Sequence, residues 1–215
     1  MELKQQKVRI ARIVIIAFFS VGIIGFLMPL SYPFFKQLIP LALILSFLLL
    51  VIFHPKERRN LHSIFVFTGI YFTGLILEVI GVNTGVVFGE YSYGPNLGIK
   101  IFNTPVIIGL NWLILIYTTS SLFEKLNIHV VTKVLLASSC MVVFDLILEQ
   151  IAPGIGMWNF NGSEVPLKNY LSWFIISVIF QAALKMGGIK TENSLAKTIF
   201  ISQFIFFLIL SIFLP

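Results

Sequence analysis

Charged residues are scarce in this 215-residue chain, and cysteine is almost absent. Asp, Glu, Lys and Arg make up 11% of the sequence, whereas soluble domains carry about 25%. Cys140 is the single cysteine, so an intramolecular disulfide and a cysteine-based metal site are excluded. His54, His62 and His129 lack metal-ligand spacing, and we expect them to be interfacial residues and no metal to bind. The sequence contains no glycine-rich phosphate loop and no nucleophile elbow.

Hydrophobic residues, by contrast, make up 58% of the chain, in runs long enough to cross a bilayer. The pattern predicts an all-α, polytopic helical membrane protein with about seven transmembrane helices, and one transmembrane domain covering 1–215. The N-terminal apolar run is expected to be a retained first span, because it is long for a signal peptide. Pro40 falls in the first turns of the second span, where it is tolerated or causes a kink. The predicted spans are 11–30, 34–53, 61–82, 105–123, 130–150, 169–186 and 196–214.

The distribution of lysine and arginine predicts the orientation of these spans. Of the fifteen basic residues, all but Lys36, Lys100 and Lys168 fall on one side. The positive-inside rule therefore gives a cytoplasmic N-terminus and an external C-terminus in a bacterial or archaeal cytoplasmic membrane. The net charge of +6 is explained by these loop residues, and we expect the lipid bilayer, not nucleic acid, as the partner.

Two long polar loops, 83–104 and 151–168, fall together on the predicted external side. Both are longer than simple helix connections require. They are either re-entrant segments that cap a cavity or interfacial loops anchored by aromatic residues, and composition alone favours the interfacial explanation.

Three acidic residues lie inside apolar spans, at a similar depth in the outer part of the bilayer. Glu78 precedes the outer end of span three, and Asp145 and Glu149 share one face of span five, one turn apart. Spans three to five carry no lysine or arginine at that depth, so an ionised carboxylate there would be poorly solvated and a protonated one a good proton donor. A structural hydrogen-bonding role or contact with interfacial water is the alternative, but three acids at one level favour a site.

Polar and aromatic residues from the loops and neighbouring spans could line such a site. Carboxylic acids with aromatic walls suit protonation of an isoprenoid double bond, since aromatic faces stabilise a tertiary carbocation. Water can then add to give a tertiary alcohol. The proposed general acid is Asp145 or Glu78, the other holding the water, with Glu149 tuning their proton affinity. The proposed substrate-binding residues are Asn83, Tyr91, Tyr93, Asn111, Trp112, Trp158 and Trp173.

Two motifs within residues 65–175 carry a resemblance to a known family. They read Glu78…Gly81…Thr84-Gly85-x-x-Phe88-Gly89-x-Tyr91-x-Tyr93 with Leu97-Gly98, Pro105 and Trp112, and Asp145…Pro153…Trp158…Val165-Pro166-Leu167-x-Asn169-Tyr170-x-x-Trp173. The sequence resembles the membrane carotenoid biosynthesis family that includes the CruF-type carotenoid 1',2'-hydratases and the bisanhydrobacterioruberin hydratases. The resemblance implies hydration of the terminal double bond of an acyclic carotenoid, without a cofactor, and other carotenoid biosynthesis enzymes as candidate partners.

Three other functions fit parts of the pattern. A carotenoid end-ring cyclase forms the same carbocation but loses a proton instead of adding water. A small proton-coupled transporter would use the acids as a relay, although the broken helices and two-fold repeat that would support it are not evident. A non-enzymatic membrane scaffold would lack a cavity beside the acids.

Overall fold

The computed structural model describes residues 2–162 and 164–214, which contain eight α-helices and four short β-strands. Helices α1, α4, α6, α7 and α8 are long and apolar enough to cross a membrane, and α3 and α5 are shorter apolar helices. A helical membrane protein is therefore confirmed, while the number of spans and their orientation stay predictions. The helices are α1 (Glu2–Leu27), α2 (Tyr32–Gln37), α3 (Ile39–Phe53), α4 (Leu61–Thr84), α5 (Ile107–Phe123), α6 (Val130–Ile151), α7 (Leu167–Met186) and α8 (Ala196–Phe213), and the strands are β1 (Tyr91–Tyr93), β2 (Lys100–Ile101), β3 (Thr104–Pro105) and β4 (Trp158–Phe160).

The predicted second span, 34–53, is divided into two helices. The chain turns at Leu38, so that α2 ends at Gln37 and α3 begins at Ile39. Pro40 lies at the start of α3, where its missing N–H costs no helical hydrogen bond. The break leaves α3 with 15 residues, which explains why it is shorter than the predicted span.

Helix α5 lies at the centre of the bundle. It packs against α3, α4, α6 and α8, and every residue from Asn111 to Ser120 is buried. The peripheral helices instead expose large apolar side chains, among them Ile64, Phe65 and Phe72 of α4. Apolar side chains on the outside are expected of a bundle surrounded by lipid.

The ends of α4 are defined by local chemistry. At the N-terminus, Asn60 and Ser63 form a reciprocal capping box. At the C-terminus, Gly85 adopts a left-handed conformation, with φ of 65°, that ends the helix after Thr84. The chain therefore leaves α4 just after Glu78 and Gly81 and turns back over the end of the bundle.

The connecting segments gather at two ends of the bundle. Segments 85–106 and 152–166 meet at what we call the strand end, where Asn96 donates a hydrogen bond to the carbonyl of Ile155. Segments 54–60, 124–129 and 187–195 lie at what we call the opposite end.

Buried polar groups at the opposite end are tied together by hydrogen bonds. His54 was expected to be interfacial, but it is buried and its Nδ1 lies 2.6 Å from the Tyr117 hydroxyl. Asn193 contacts the same hydroxyl at 3.3 Å, and burial lowers the pKa of His54. The imidazole is therefore a neutral, structural group rather than a solvated one.

Candidate active site

Glu78 is enclosed by three neutral hydrogen-bond donors near the end of α4. The hydroxyls of Tyr91 and Tyr93 donate to its Oε2 at 2.5 and 2.7 Å, and the indole Nε1 of Trp112 donates to Oε1 at 2.8 Å. The Glu78 side chain is only 3% exposed. Burial raises the pKa of both tyrosine hydroxyls, and the negative charge of the adjacent Glu78 is the second largest cause of the increase. The hydroxyls therefore remain protonated donors.

Two glycines on α4 allow these donors to approach Glu78. A Cβ at Gly74 would lie 3.0 Å from side-chain atoms of Trp112, so glycine lets α5 pack closely enough to bring its indole to the carboxylate. A Cβ at Gly81 would lie 2.6 Å from the Phe88 ring and 3.3 Å from the Tyr91 hydroxyl. Gly74 and Gly81 lie four residues before and three residues after Glu78, on the same face of α4, and there they make room for the donors.

The loops form a two-stranded antiparallel ribbon over the carboxyl groups. Strand β1 pairs with β4 so that Tyr91 is opposite Phe160 and Tyr93 is opposite Trp158. These four side chains are buried, whereas the residues between them are exposed. The period-two alternation of a strand thus directs the tyrosines of one loop and the aromatic residues of the other into the bundle. Both loops take part in the site rather than acting only as interfacial anchors.

Glu78 and its three donors form one cluster, and Asp145 and Glu149 on α6 form a second cluster. The Nδ2 of Asn169, in the first turn of α7, donates to Asp145 Oδ2 at 2.8 Å and to Glu149 Oε1 at 3.3 Å. Trp158 Nε1 donates to Glu149 Oε2 at 2.8 Å. Asp145 is completely buried, and among the described residues its Oδ1 has no hydrogen-bond partner.

The two clusters meet at a small cavity beneath the ribbon. The cavity, of about 20 Å³, is lined by both Glu78 and Glu149, together with Asn169, and it has room for about one water molecule. Helix α5 packs against both α4 and α6, and the edge-on contact of Tyr93 with Trp158 joins the clusters from above. The three acids are therefore brought together through α5, α7 and the ribbon rather than by extensive packing of α4 on α6.

Aromatic rings form one wall of this cavity. Trp112 stacks on Trp173 with ring centroids 4.2 Å apart, and the Phe88 ring also stacks with Trp112, at 6.5 Å. Phe88 and Trp173 also line the cavity. Stacked aromatic faces beside carboxyl groups offer electron-rich surfaces to a cation.

Most of the residues proposed from sequence lie at this site. Glu78, Asp145 and Glu149 are close to one another, and Tyr91, Tyr93, Trp112, Trp158 and Trp173 contact the acids or line the cavity. Asn83 and Asn111 do not. Asn83 is exposed and ties α4 to the loop through Phe102 and Asn103, and Asn111 lines a separate apolar cavity.

Sequence reasoning did not assign a site role to Asn169, Phe88, Phe160 or Ile108, which all line the cavity. Asn169 had a usable signal, because it is a polar residue one helical turn before Trp173 at the start of an apolar helix. Ile108 had none, since an isoleucine in an apolar helix is indistinguishable from core. The described residues contain no group of three or more His, Cys, Asp or Glu that could hold a metal ion.

The fold and site define an integral helical membrane protein whose buried carboxyl groups meet under an aromatic ribbon. The chain belongs to the carotenoid biosynthesis protein family, which it matches over residues 37–214. It is also similar to bisanhydrobacterioruberin hydratase from Haloarcula japonica, at 26% identity over an alignment that covers 46% of this chain and 36% of that protein. No solved structure matches the chain. The resemblance inferred from the two motifs is therefore confirmed.

Proposed function

We propose that the protein hydrates the terminal double bond of an acyclic carotenoid end group, by protonation of the alkene followed by addition of water. The observation that carries the proposal is the meeting of Glu78 and Glu149 at one cavity, where their hydrogen-bond partners among the described residues are neutral. The hydratase name of the Haloarcula japonica relative supports the same reaction class.

The hydrogen-bond donors around each acid suggest a division of roles. Glu78 accepts three hydrogen bonds, which suits an ionised carboxylate with its several acceptor sites. Asp145 accepts one at Oδ2 and none at Oδ1 from the described residues. An ionised carboxylate with an unpaired buried oxygen is costly, so the single donor to Asp145 favours the protonated form of this carboxyl group.

Glu149 is the group that we propose gives a proton to the substrate. It lines the cavity, whereas Asp145 lies one turn away and shares Asn169 with it. Two carboxyl groups so close, without a cation, favour sharing a proton. The sequence suggested Asp145 or Glu78 as the acid and a tuning role for Glu149. The cavity lining favours Glu149 as the donor and Asp145 as its coupled partner.

The reaction then balances without a cofactor. The Glu149 carboxyl protonates the less substituted carbon of the terminal double bond, which leaves a tertiary carbocation on the other carbon. The oxygen of a water molecule bonds to that carbocation, and the proton that this water loses passes to a carboxylate lining the cavity. The Phe88 and Trp173 rings that line the cavity stabilise the cation, and ionised Glu78 lowers its energy electrostatically.

Expression in lycopene-producing cells tests this proposal. The expected product has gained the mass of one water molecule at each end that reacts. A pigment isomer of unchanged mass would instead indicate end-ring cyclisation, and unchanged pigment would contradict any end-group chemistry on this substrate. Glu149→Gln, shown to be inserted in the membrane at wild-type level, serves as the inactive comparison.

A further inference from the structure

The cavity between Glu78 and Glu149 is too small for the substrate it is proposed to serve. Its volume is about 20 Å³, whereas even small-molecule ligand sites span about 300–1,000 Å³. A carotenoid end group must therefore reach the carboxyl groups from a neighbouring space, and a residue must separate the two.

A second cavity of about 210 Å³ lies beside the first, and we call it the side cavity. Helices α1, α3, α5, α6 and α8 contribute its mostly apolar lining, which includes Phe144 and Leu148 of α6. Phe18 and Val21 of α1 also line it and are exposed on the outside of the bundle. The side cavity is therefore accessible from the apolar surface that faces lipid.

Ile108 is the one described residue that lines both cavities. It lies in the first turn of α5 and is only 2% exposed. Leu148 and Met157, which line the side cavity, are the sequence neighbours of Glu149 and Trp158, which line the acid cavity. The wall between the cavities is thus one side chain thick at Ile108.

A larger groove of about 510 Å³ does not provide this access. It lies on another face of α5, where it is lined by Leu110, Leu113 and Tyr117, and it shares no lining residue with the acid cavity. Helix α5 therefore separates two lipid-side spaces, and of these two the side cavity is the one that shares a lining residue with the acid cavity.

We infer that the side cavity receives the terminal isoprenoid unit of the carotenoid, and that Ile108 is a positioning residue that sets the end double bond against Glu149. The inference rests on the proposed hydration. A branched hydrocarbon end matches the apolar lining, because such a surface gains by contact with aliphatic groups and offers little to a charged ligand. Displacing the Ile108 side chain joins the two spaces without disturbing the donors around Glu78.

Substitutions on two faces of α5 test the inference. Ile108→Phe fills the junction between the cavities, and Leu113→Phe makes the same size increase in the larger groove, as the matched control. Binding is measured in detergent-solubilised protein as quenching of tryptophan fluorescence by lycopene, because all three tryptophans, Trp112, Trp158 and Trp173, lie at the site. Hydration is measured separately by pigment mass.

The expected result is a fall of about tenfold or more in both lycopene quenching and hydration for Ile108→Phe, with Leu113→Phe within about twofold of wild type. Ile108→Ala, which enlarges the junction, is expected to retain quenching but to lower turnover at saturating substrate, since the end group is held less firmly. Wild-type quenching and hydration in a folded Ile108→Phe variant would overturn the inference and leave the proposed function standing. Quenching that depends on Ile108 without any gain of water would overturn the proposed hydration and leave the carotenoid site standing.

Discussion

The two ends of the helical bundle hold acidic side chains in different ways, and these acids are partly buried at one end and buried at the other. At the opposite end, the Glu124 carboxylate lies 2.6 Å from the Lys185 ammonium and accepts a hydrogen bond from Thr191. Burial alone would raise the pKa of Glu124, but Lys185 and Thr191 outweigh it and hold the pKa below its usual value. At the strand end, the donors to Glu78 and Glu149 are neutral hydroxyl, indole and amide groups.

Under the proposed function, this difference distinguishes a structural acid from the acids that take part in the reaction. A carboxylate paired with lysine is fixed in its charged form and has little tendency to exchange its proton. Carboxyl groups held by neutral donors, next to one another and without a cation, can exchange a proton with a substrate. At the strand end, burying the acids without a cation costs folding free energy, and under the proposed function the same acids exchange the proton.

The strongest test of the comparison removes the proton from the strand end only. Glu149→Gln keeps the shape of the side chain but cannot donate a carboxylic proton. We expect hydration to fall about 10²- to 10⁴-fold, the usual contribution of a general acid. Conversion is measured by pigment mass at matched protein levels. The matched control is Glu124→Gln, for which hydration should stay within about twofold of wild type, and equal losses in both variants would contradict the comparison.

A second substitution tests the charge of Glu78. Glu78→Gln retains a group of the same size among the three donors but removes the negative charge that stabilises the cation. A rate decrease of about 10²-fold is expected, comparable to the loss of a preorganised electrostatic contact. Single-turnover rates on purified protein provide the measurement. Full activity in this variant would show that the donors of Tyr91, Tyr93 and Trp112 serve packing alone.

A pair of tyrosine substitutions compares the two ends more finely. Tyr93→Phe removes one donor from Glu78, and Tyr117→Phe removes the buried hydroxyl that contacts His54. Each should reduce the free energy of unfolding by about 1–3 kcal/mol, because Tyr93→Phe removes one of three donors to a buried carboxyl group and Tyr117→Phe leaves the buried His54 Nδ1 without its partner. Only Tyr93→Phe should also slow hydration, by about tenfold. Thermal unfolding and pigment conversion are measured on the same preparations, and equal effects on activity would be the contrary outcome.

The smallest expected effect concerns the salt bridge and its dependence on pH. The pKa of Glu124 is lower in the folded protein than in the unfolded chain. Pairing with Lys185 therefore stabilises the folded protein at pH values above the unfolded pKa, and this stabilisation is lost as the pH falls through the folded pKa. Glu124→Gln should therefore lower stability by about 1 kcal/mol at neutral pH, and the difference from wild type should shrink below pH of about 4.5. Thermal unfolding of both proteins across this pH range checks the sign, and a difference that grows in acid would refute it.

Long-range patterns in the sequence predicted the helices well and the site in part. Apolar runs and the depth of Glu78, Asp145 and Glu149 within them are properties of each helix alone, so the sequence could place the acids at one level. The division of the second span at Leu38 was not predicted, since a proline near a helix start is compatible with a kink or with a break.

Features that depend on pairing between distant segments could not be predicted. The register that sets Tyr93 opposite Trp158 joins two short polar stretches whose composition also suits interfacial loops. Asn83 illustrates the converse, because a polar residue beside the motif binds the loop backbone rather than the cavity. Asn111 is buried on α5 and lines the side cavity, the space inferred to receive the carotenoid end, so its substrate-binding role stays a prediction.

Hydration in deuterated water is the most direct test of proton donation from the buried carboxyl groups. Protonation of the terminal double bond by a carboxyl group that exchanges with solvent leaves one carbon-bound deuterium beside the new tertiary alcohol. The wild-type protein and Glu124→Gln should both yield this labelled product from lycopene, and Glu149→Gln should yield about 10²-fold less or none. Equal amounts of labelled product from an inserted Glu149→Gln protein would contradict the assignment of the proton donor to the strand end.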